Sequence, residues 1–141
     1  MKPIYQHHRD NAIAGYPPNI MIIQEVLPVI EDLSIIYAYG DKIYTPGGQV
    51  LTDDLIHHEM VHMSQQKELG PERWWRHYLD NPQFRLDQEL EAYIAQWQFI
   101  KEDPTLNRER RRALKKFLIE SICDPMYGGM LTPKQARGFF T

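Results

Sequence analysis

The chain has 141 residues, 43% hydrophobic and 25% charged, which is enough apolar material for one core and too little length for a second domain. A formal net charge of −3 gives no electrostatic reason to invoke nucleic acid or an anionic membrane, and a single cysteine excludes an intramolecular disulfide framework. No stretch approaches the roughly 20 apolar residues of a membrane span and the first residues carry no apolar run of the signal-peptide kind, so a cytoplasmic protein is expected.

Residues 1–19 are polar and carry Gly15-Tyr16-Pro17-Pro18, which reads as an irregular arm. Residues 20–33 are apolar at helical spacing, with Pro28 placed to interrupt them. Residues 34–39 and 42–45 are rich in Ile and Tyr and flank Gly40-Asp41, the pattern of a β-hairpin. Thr52, Asp53 and Asp54 supply a capping hydroxyl and two carboxylates for the positive end of a helix running through Gln66. Gly70-Pro71 starts a second helix reaching Tyr78, in which Trp74 and Trp75 are expected in the core. Asn81-Pro82 opens a long helix to Glu102, Asp103-Pro104 closes it, a basic helix covers 106–122, and Thr132-Pro133 begins a short final one. Arg108, Arg110, Arg111, Arg112, Lys115 and Lys116 spread round the basic helix, which suits a solvated surface better than a phosphate-tracking face. A small, mostly helical α+β domain is expected: four to six helices and a β-hairpin or three-stranded sheet against the helix that begins at Thr52.

That helix contains His58-Glu59-Met60-Val61-His62, an H-E-x-x-H pattern. Residues four apart share a helix face, so two imidazoles can reach one zinc ion while the glutamate between them addresses a bound water. A catalytic zinc takes a third protein ligand, and two glutamates downstream compete for the role. On the helix from Pro82, Leu86, Leu90, Tyr93, Trp97 and Ile100 form a buried stripe that Glu89 borders, whereas Glu91 points with Asp87, Gln98 and Glu102 toward water. Glu89 is therefore the expected ligand.

Together His58-Glu59-x-x-His62 and Glu89-Leu90-Glu91-Ala92-Tyr93 resemble the two motifs of the gluzincin metallopeptidases, and the short chain resembles their minimal forms, the minigluzincins. A wider stretch, roughly residues 35–135, is similar to small peptidase-like proteins encoded by tailed phages; a phage origin implies the host cytoplasm. The resemblance implies a zincin-like fold, one catalytic Zn2+ held by His58, His62 and Glu89, and Glu59 as general base. It also implies that the hairpin offers an edge for an extended substrate, here beside residues 41–46. Many gluzincins carry an aspartate four residues beyond the ligand glutamate to orient a zinc histidine. Here that position is Tyr93, so a phenol or a backbone carbonyl is expected to accept the histidine proton.

Zinc-dependent hydrolysis of peptide bonds is the leading expectation, with a peptide or protein as partner. One further donor should meet the oxyanion that forms on attack, and His57, His77, Tyr78, Arg85, Tyr93 and Tyr127 are candidates. Two other readings share the same ligands: a zinc amidase or endopeptidase acting on cell-wall peptides, and a non-catalytic regulatory or binding module that keeps the metal as a structural clamp. Oligomeric state has no signal in the sequence.

Overall fold

The computed structural model describes residues 3–29 and 31–141; Met1 and Lys2 of the expected arm, and Ile30 of the first apolar stretch, lie outside them. Among the described residues there are seven α-helices, one antiparallel pair of strands and one 3₁₀ turn. In chain order these are α1 (Pro3–Asp10), α2 (Ile20–Val26), β1 (Tyr37–Tyr39), β2 (Lys42–Tyr44), α3 (Asp53–Leu69), α4 (Pro71–Asp80), α5 (Pro82–Glu102), α6 (Arg108–Ile122), the 3₁₀ turn Pro125–Tyr127 and α7 (Pro133–Arg137). The α+β class is as expected. The sheet has two strands, and there is one helix more than the expected upper count.

The additional helix is α1, inside the segment read as an irregular arm. Its composition is polar, and what holds it is tertiary: Tyr5 is buried edge-on against Phe99, while Arg9 reaches α3, donating from Nε to the Leu51 carbonyl at 3.0 Å and pairing with Asp53. A local reading of polarity cannot see those partners. The rest of the arm also has a task, because Ile13 forms a parallel bridge with Tyr44 of β2.

Local chemistry accounts for the other boundaries. Gly40 takes φ +63° at the first position of the two-residue hairpin turn, and Asp41 after it is not left-handed, so a primed turn closes β1 on β2 with Tyr39 opposite Lys42. Pro71 and Pro82 occupy first turns, where a missing N–H costs nothing, and Asn81 caps α5 by accepting from the Phe84 amide at 3.1 Å. Thr52 precedes α3, but its hydroxyl donates to Asp54 at 2.6 Å instead of capping the backbone.

Helices α3 and α5 pack along one another at the centre, with α4 bracing both. Three apolar clusters surround this pair. The first joins α5, α6, α7 and the residues after it through Trp97, Ile100, Leu118, Ile122, Ala136 and Phe140; the second joins α2, β1 and α4 through Ile23, Tyr37, Trp74 and Trp75; the third joins α1, the hairpin and α3 through Tyr5, Ile43 and Ile56. Trp74 and Trp75 are core residues, as expected. The basic stretch of α6 is largely exposed, with Arg111 donating to the Asp103 carbonyl and Lys115 lying over the Trp97 ring. Among the described residues no helix is long and apolar enough to cross a membrane.

Candidate metal centre

Helix α3 is unusual in turning polar residues inward: His58, Glu59, His62 and Gln66 are all buried. The two histidines are met by buried polar groups of α5, Glu89 and Gln96, and Gln66 is met by the hairpin backbone, accepting from the Gly40 amide and donating to the Ala38 carbonyl. The Nε2 atoms of His58 and His62 lie 3.2 Å apart, and they are 3.2 and 2.9 Å from Oε1 of Glu89. A tetrahedral ion with bonds of about 2.0–2.1 Å sets its ligand atoms about 3.3 Å from one another, close to this triangle. These three side chains can hold a metal ion. Two imidazoles and one carboxylate suit a first-row transition metal rather than the all-oxygen shells of calcium or magnesium. Glu91 is exposed on the opposite side of α5.

The charge state of the group follows from packing. Burial by itself would raise the Glu89 carboxyl, but His62 and the hydrogen bonds from both rings hold it well below the usual carboxylate range. Burial would likewise lower His62, and Glu89 reverses this and lifts it to about 9. The second oxygen of Glu89 accepts a 2.5 Å bond from the Tyr78 hydroxyl, whose own pKa is driven far up by burial and by Glu89, so it remains a donor.

Glu59 stands apart from the other three. It is buried, its carboxyl is raised by desolvation, and its Oε2 has no hydrogen-bond partner. An unpaired buried carboxylate oxygen costs roughly 1–3 kcal/mol or more, and a water molecule held beside the triad would satisfy it. This orphaned oxygen is the sign that the residues present fit a bound metal and its water.

The site opens into a cavity of ≈ 230 Å³ walled by α2, β1, α3, α4, α5, α6 and the 3₁₀ turn. Outside the metal group its lining has, among the described residues, no Lys, Arg or Asp; Ile23, Leu27, Val29, Leu55, Phe117 and Met126 are among the apolar residues of the wall. Of the six candidate donors for an oxyanion, three are placed elsewhere. His57 is on the far side of α3, its Nδ1 3.0 Å from the Tyr5 hydroxyl. His77 is exposed and packs on Phe84. Arg85 is buried away from the cavity, its guanidinium spent on the carbonyls of Met126, Tyr78 and Leu79. Tyr78 is engaged with Glu89, which leaves Tyr93 and Tyr127; both line the cavity, with hydroxyls 3.5 Å apart, and the Tyr93 ring stands edge-on to His58 at 4.6 Å.

Two expectations are corrected by these positions. Tyr93 does not take the histidine proton; the atom 3.0 Å from Nδ1 of His58 is Oε1 of Gln96, two turns beyond Glu89, and the one 2.9 Å from Nδ1 of His62 is Oε1 of Gln65. Helical spacing placed Gln96 on the face of Glu89, so the signal was present but glutamine is too common to raise it. The outer edge of β2 is not free for a substrate strand either. Ile13 donates to the Ile43 carbonyl at 2.9 Å and accepts from the Thr45 amide at 2.8 Å, covering it. The outer edge of β1 is closed at Ala38, whose carbonyl accepts from Gln66 and Trp75, so residues 34–37 are the strand-side backbone that borders the cavity. Comparison with protein-family models, with curated proteins and with solved structures finds no match to this chain.

Proposed function

We propose that this chain is a zinc-dependent peptidase of the gluzincin type. The observation that carries the reading is Glu59: a buried carboxylate with an unpaired oxygen, one residue from a ligand histidine and facing the same cleft as the triad. A purely structural metal site has no use for such a group, whereas hydrolysis needs a base at that place.

Zinc bound by His58, His62 and Glu89 would supply Lewis acidity to a water molecule and to the substrate carbonyl. Glu59 accepts the water proton and later delivers it to the departing amine, and its elevated pKa in the buried pocket suits both halves of that exchange. Tyr93 and Tyr127, both held protonated by burial, donate hydrogen bonds to the oxygen on which negative charge develops. Tyr78 takes no part in proton transfer; it fixes the free oxygen of Glu89 so that the other faces the histidines. The uncharged wall favours peptides with large aliphatic or aromatic side chains next to the cleaved bond, and it lacks the counter-charges that a zwitterionic cell-wall cross-link would call for.

The test is a metal analysis paired with a peptide-library digest on wild type and Glu59→Gln. One zinc per chain, cleavage beside apolar residues, and a loss of roughly 10²–10⁴-fold in the variant at unchanged zinc content are expected. A zinc-loaded wild type that cuts no peptide, or a Glu59→Gln variant as active as wild type, removes the proposal. Activity on cell-wall fragments alone would move it to the amidase reading.

A further inference from the structure

A histidine that binds metal through Nε2 must carry its proton on Nδ1, and the group opposite Nδ1 decides whether it does. An amide opposite Nδ1 is ambiguous in itself, since its oxygen accepts and its nitrogen donates. What stands behind the amide removes the ambiguity, and both histidines are backed in the same manner.

Gln96 spans from His58 to Asp54. Its Nε2 donates to Oδ2 of Asp54 at 2.8 Å, and a carboxylate only accepts, so the nitrogen is committed there and Oε1 is turned to His58 Nδ1 at 3.0 Å. Asp54 is itself steadied at the start of α3, its other oxygen accepting from the Thr52 hydroxyl at 2.6 Å. Gln65 repeats the arrangement on a different backing. Its Nε2 donates to the main-chain carbonyl of Gln88 at 3.0 Å, which again only accepts, and its Oε1 faces His62 Nδ1 at 2.9 Å. In both cases the amide can only accept from the ring, so Nδ1 carries a proton, and Nε2 is the atom turned to Glu89 and to the other histidine, where a metal ion would take the place of any proton it shares with the carboxylate.

We infer that Gln65 and Gln96 are positioning residues: two acceptor-locked amides, anchored by the Gln88 carbonyl and by Asp54, that preset both histidines in the metal-binding tautomer. The inference rests on the metal-centre reading but not on peptidase activity. It also has a charge consequence. A carboxylate behind each ring would draw the Nδ1 proton toward itself and make the imidazole a stronger donor to the metal; neutral amides orient the ring without doing so, leaving the net charge of the ligand set at −1 and the bound ion more electrophilic.

The experiment measures zinc affinity by chelator competition, together with the imidazole Nδ1–H resonances of the zinc-loaded protein, in wild type, Gln96→Met, Gln65→Met and the double variant Asp54→Asn/Gln96→Glu. Methionine keeps length and removes the acceptor. Each single variant is expected to weaken zinc binding by roughly 10–100-fold and to abolish the slow solvent exchange of the corresponding Nδ1–H. The double variant reverses the polarity of the Asp54 link while keeping an acceptor toward His58, so its affinity should return to within about threefold of wild type, a recovery that packing alone would not produce. Gln65 is half-buried, so its variant remains informative should Gln96→Met fold poorly. Affinities in both methionine variants within about twofold of wild type would overturn the positioning role. Wild-type protein that takes up no zinc would instead overturn the metal centre itself.

Discussion

Two adjacent histidines on α3 have opposite surroundings. His58 faces the middle of α5 and meets His62, Glu89 and Gln96, while His57 faces α1 and the last turns of α5 and meets the Tyr5 hydroxyl and the Phe99 ring. Both are on one helix, one residue apart, and both use Nδ1 for a hydrogen bond. The difference lies in what the neighbouring helix offers. A carboxylate within 3.2 Å of Nε2 makes one ring a candidate ligand, and an apolar, aromatic neighbour makes the other a packing group. Residue type alone does not make a metal site; convergence of a second element does.

The comparison can be broken most forcefully on the α5 side. Glu59→Gln should reduce peptide cleavage by roughly 10²–10⁴-fold in a zinc-loaded digest, while His57→Gln, at the position just before His58, should leave the rate within about threefold. Removing Glu89 as Glu89→Ala should cost zinc affinity by more than a hundredfold in chelator competition, because it deletes a ligand and leaves Tyr78 without an acceptor. A loss smaller than tenfold would show that the triangle is not the metal site. Tyr127→Phe sharpens the contrast within the cleft: kcat should fall by roughly 10–100-fold with KM little changed, the outcome expected of the proposed role of its hydroxyl on developing charge.

A proton count tests the same face. Opposite Glu89, His62 has its pKa raised to about 9 from 6.5, so in chelator-treated protein its protonation adds stability that is complete below pH 6.5 and fades as pH rises through 9. Zinc requires the ring neutral, and binding at pH 7.5 should therefore release close to one proton, seen as buffer-dependent heat in calorimetry. Buffer-independent heat would contradict the pairing of His62 with Glu89. The smallest effect belongs to the back of α3, where Arg9→Ala should lower stability by only about 1 kcal/mol in denaturant unfolding, because the Asp53 pair is partly exposed, and zinc affinity should not change.

Much of this was legible in one dimension because it depends on short-range periodicity. The i, i+4 spacing of His58 and His62, the position of Glu89 beside the buried stripe of α5, and the turn at Gly40-Asp41 are each determined by backbone geometry within a few residues. The α1 helix was not, since its anchors, Tyr5 and Arg9, find their partners more than forty residues away. The closure of the β2 edge by Ile13 belongs to the same class. So does the sorting of six candidate donors to two tyrosines, because a phenol at 93 and one at 127 become neighbours only when α5 and the 3₁₀ turn are packed together.

By itself, then, the sequence determined which residues could share a helix face, and hence that His58, His62 and Glu89 could hold a metal ion with Glu59 between the two histidines. Only the tertiary structure decided the amides behind the two histidines, the direction of each buried carboxylate and the apolar wall of the cleft. The physical reason is range: helix periodicity acts over one or two turns, whereas the choice of hydrogen-bond partner for a buried polar atom depends on whatever distant segment arrives to satisfy it.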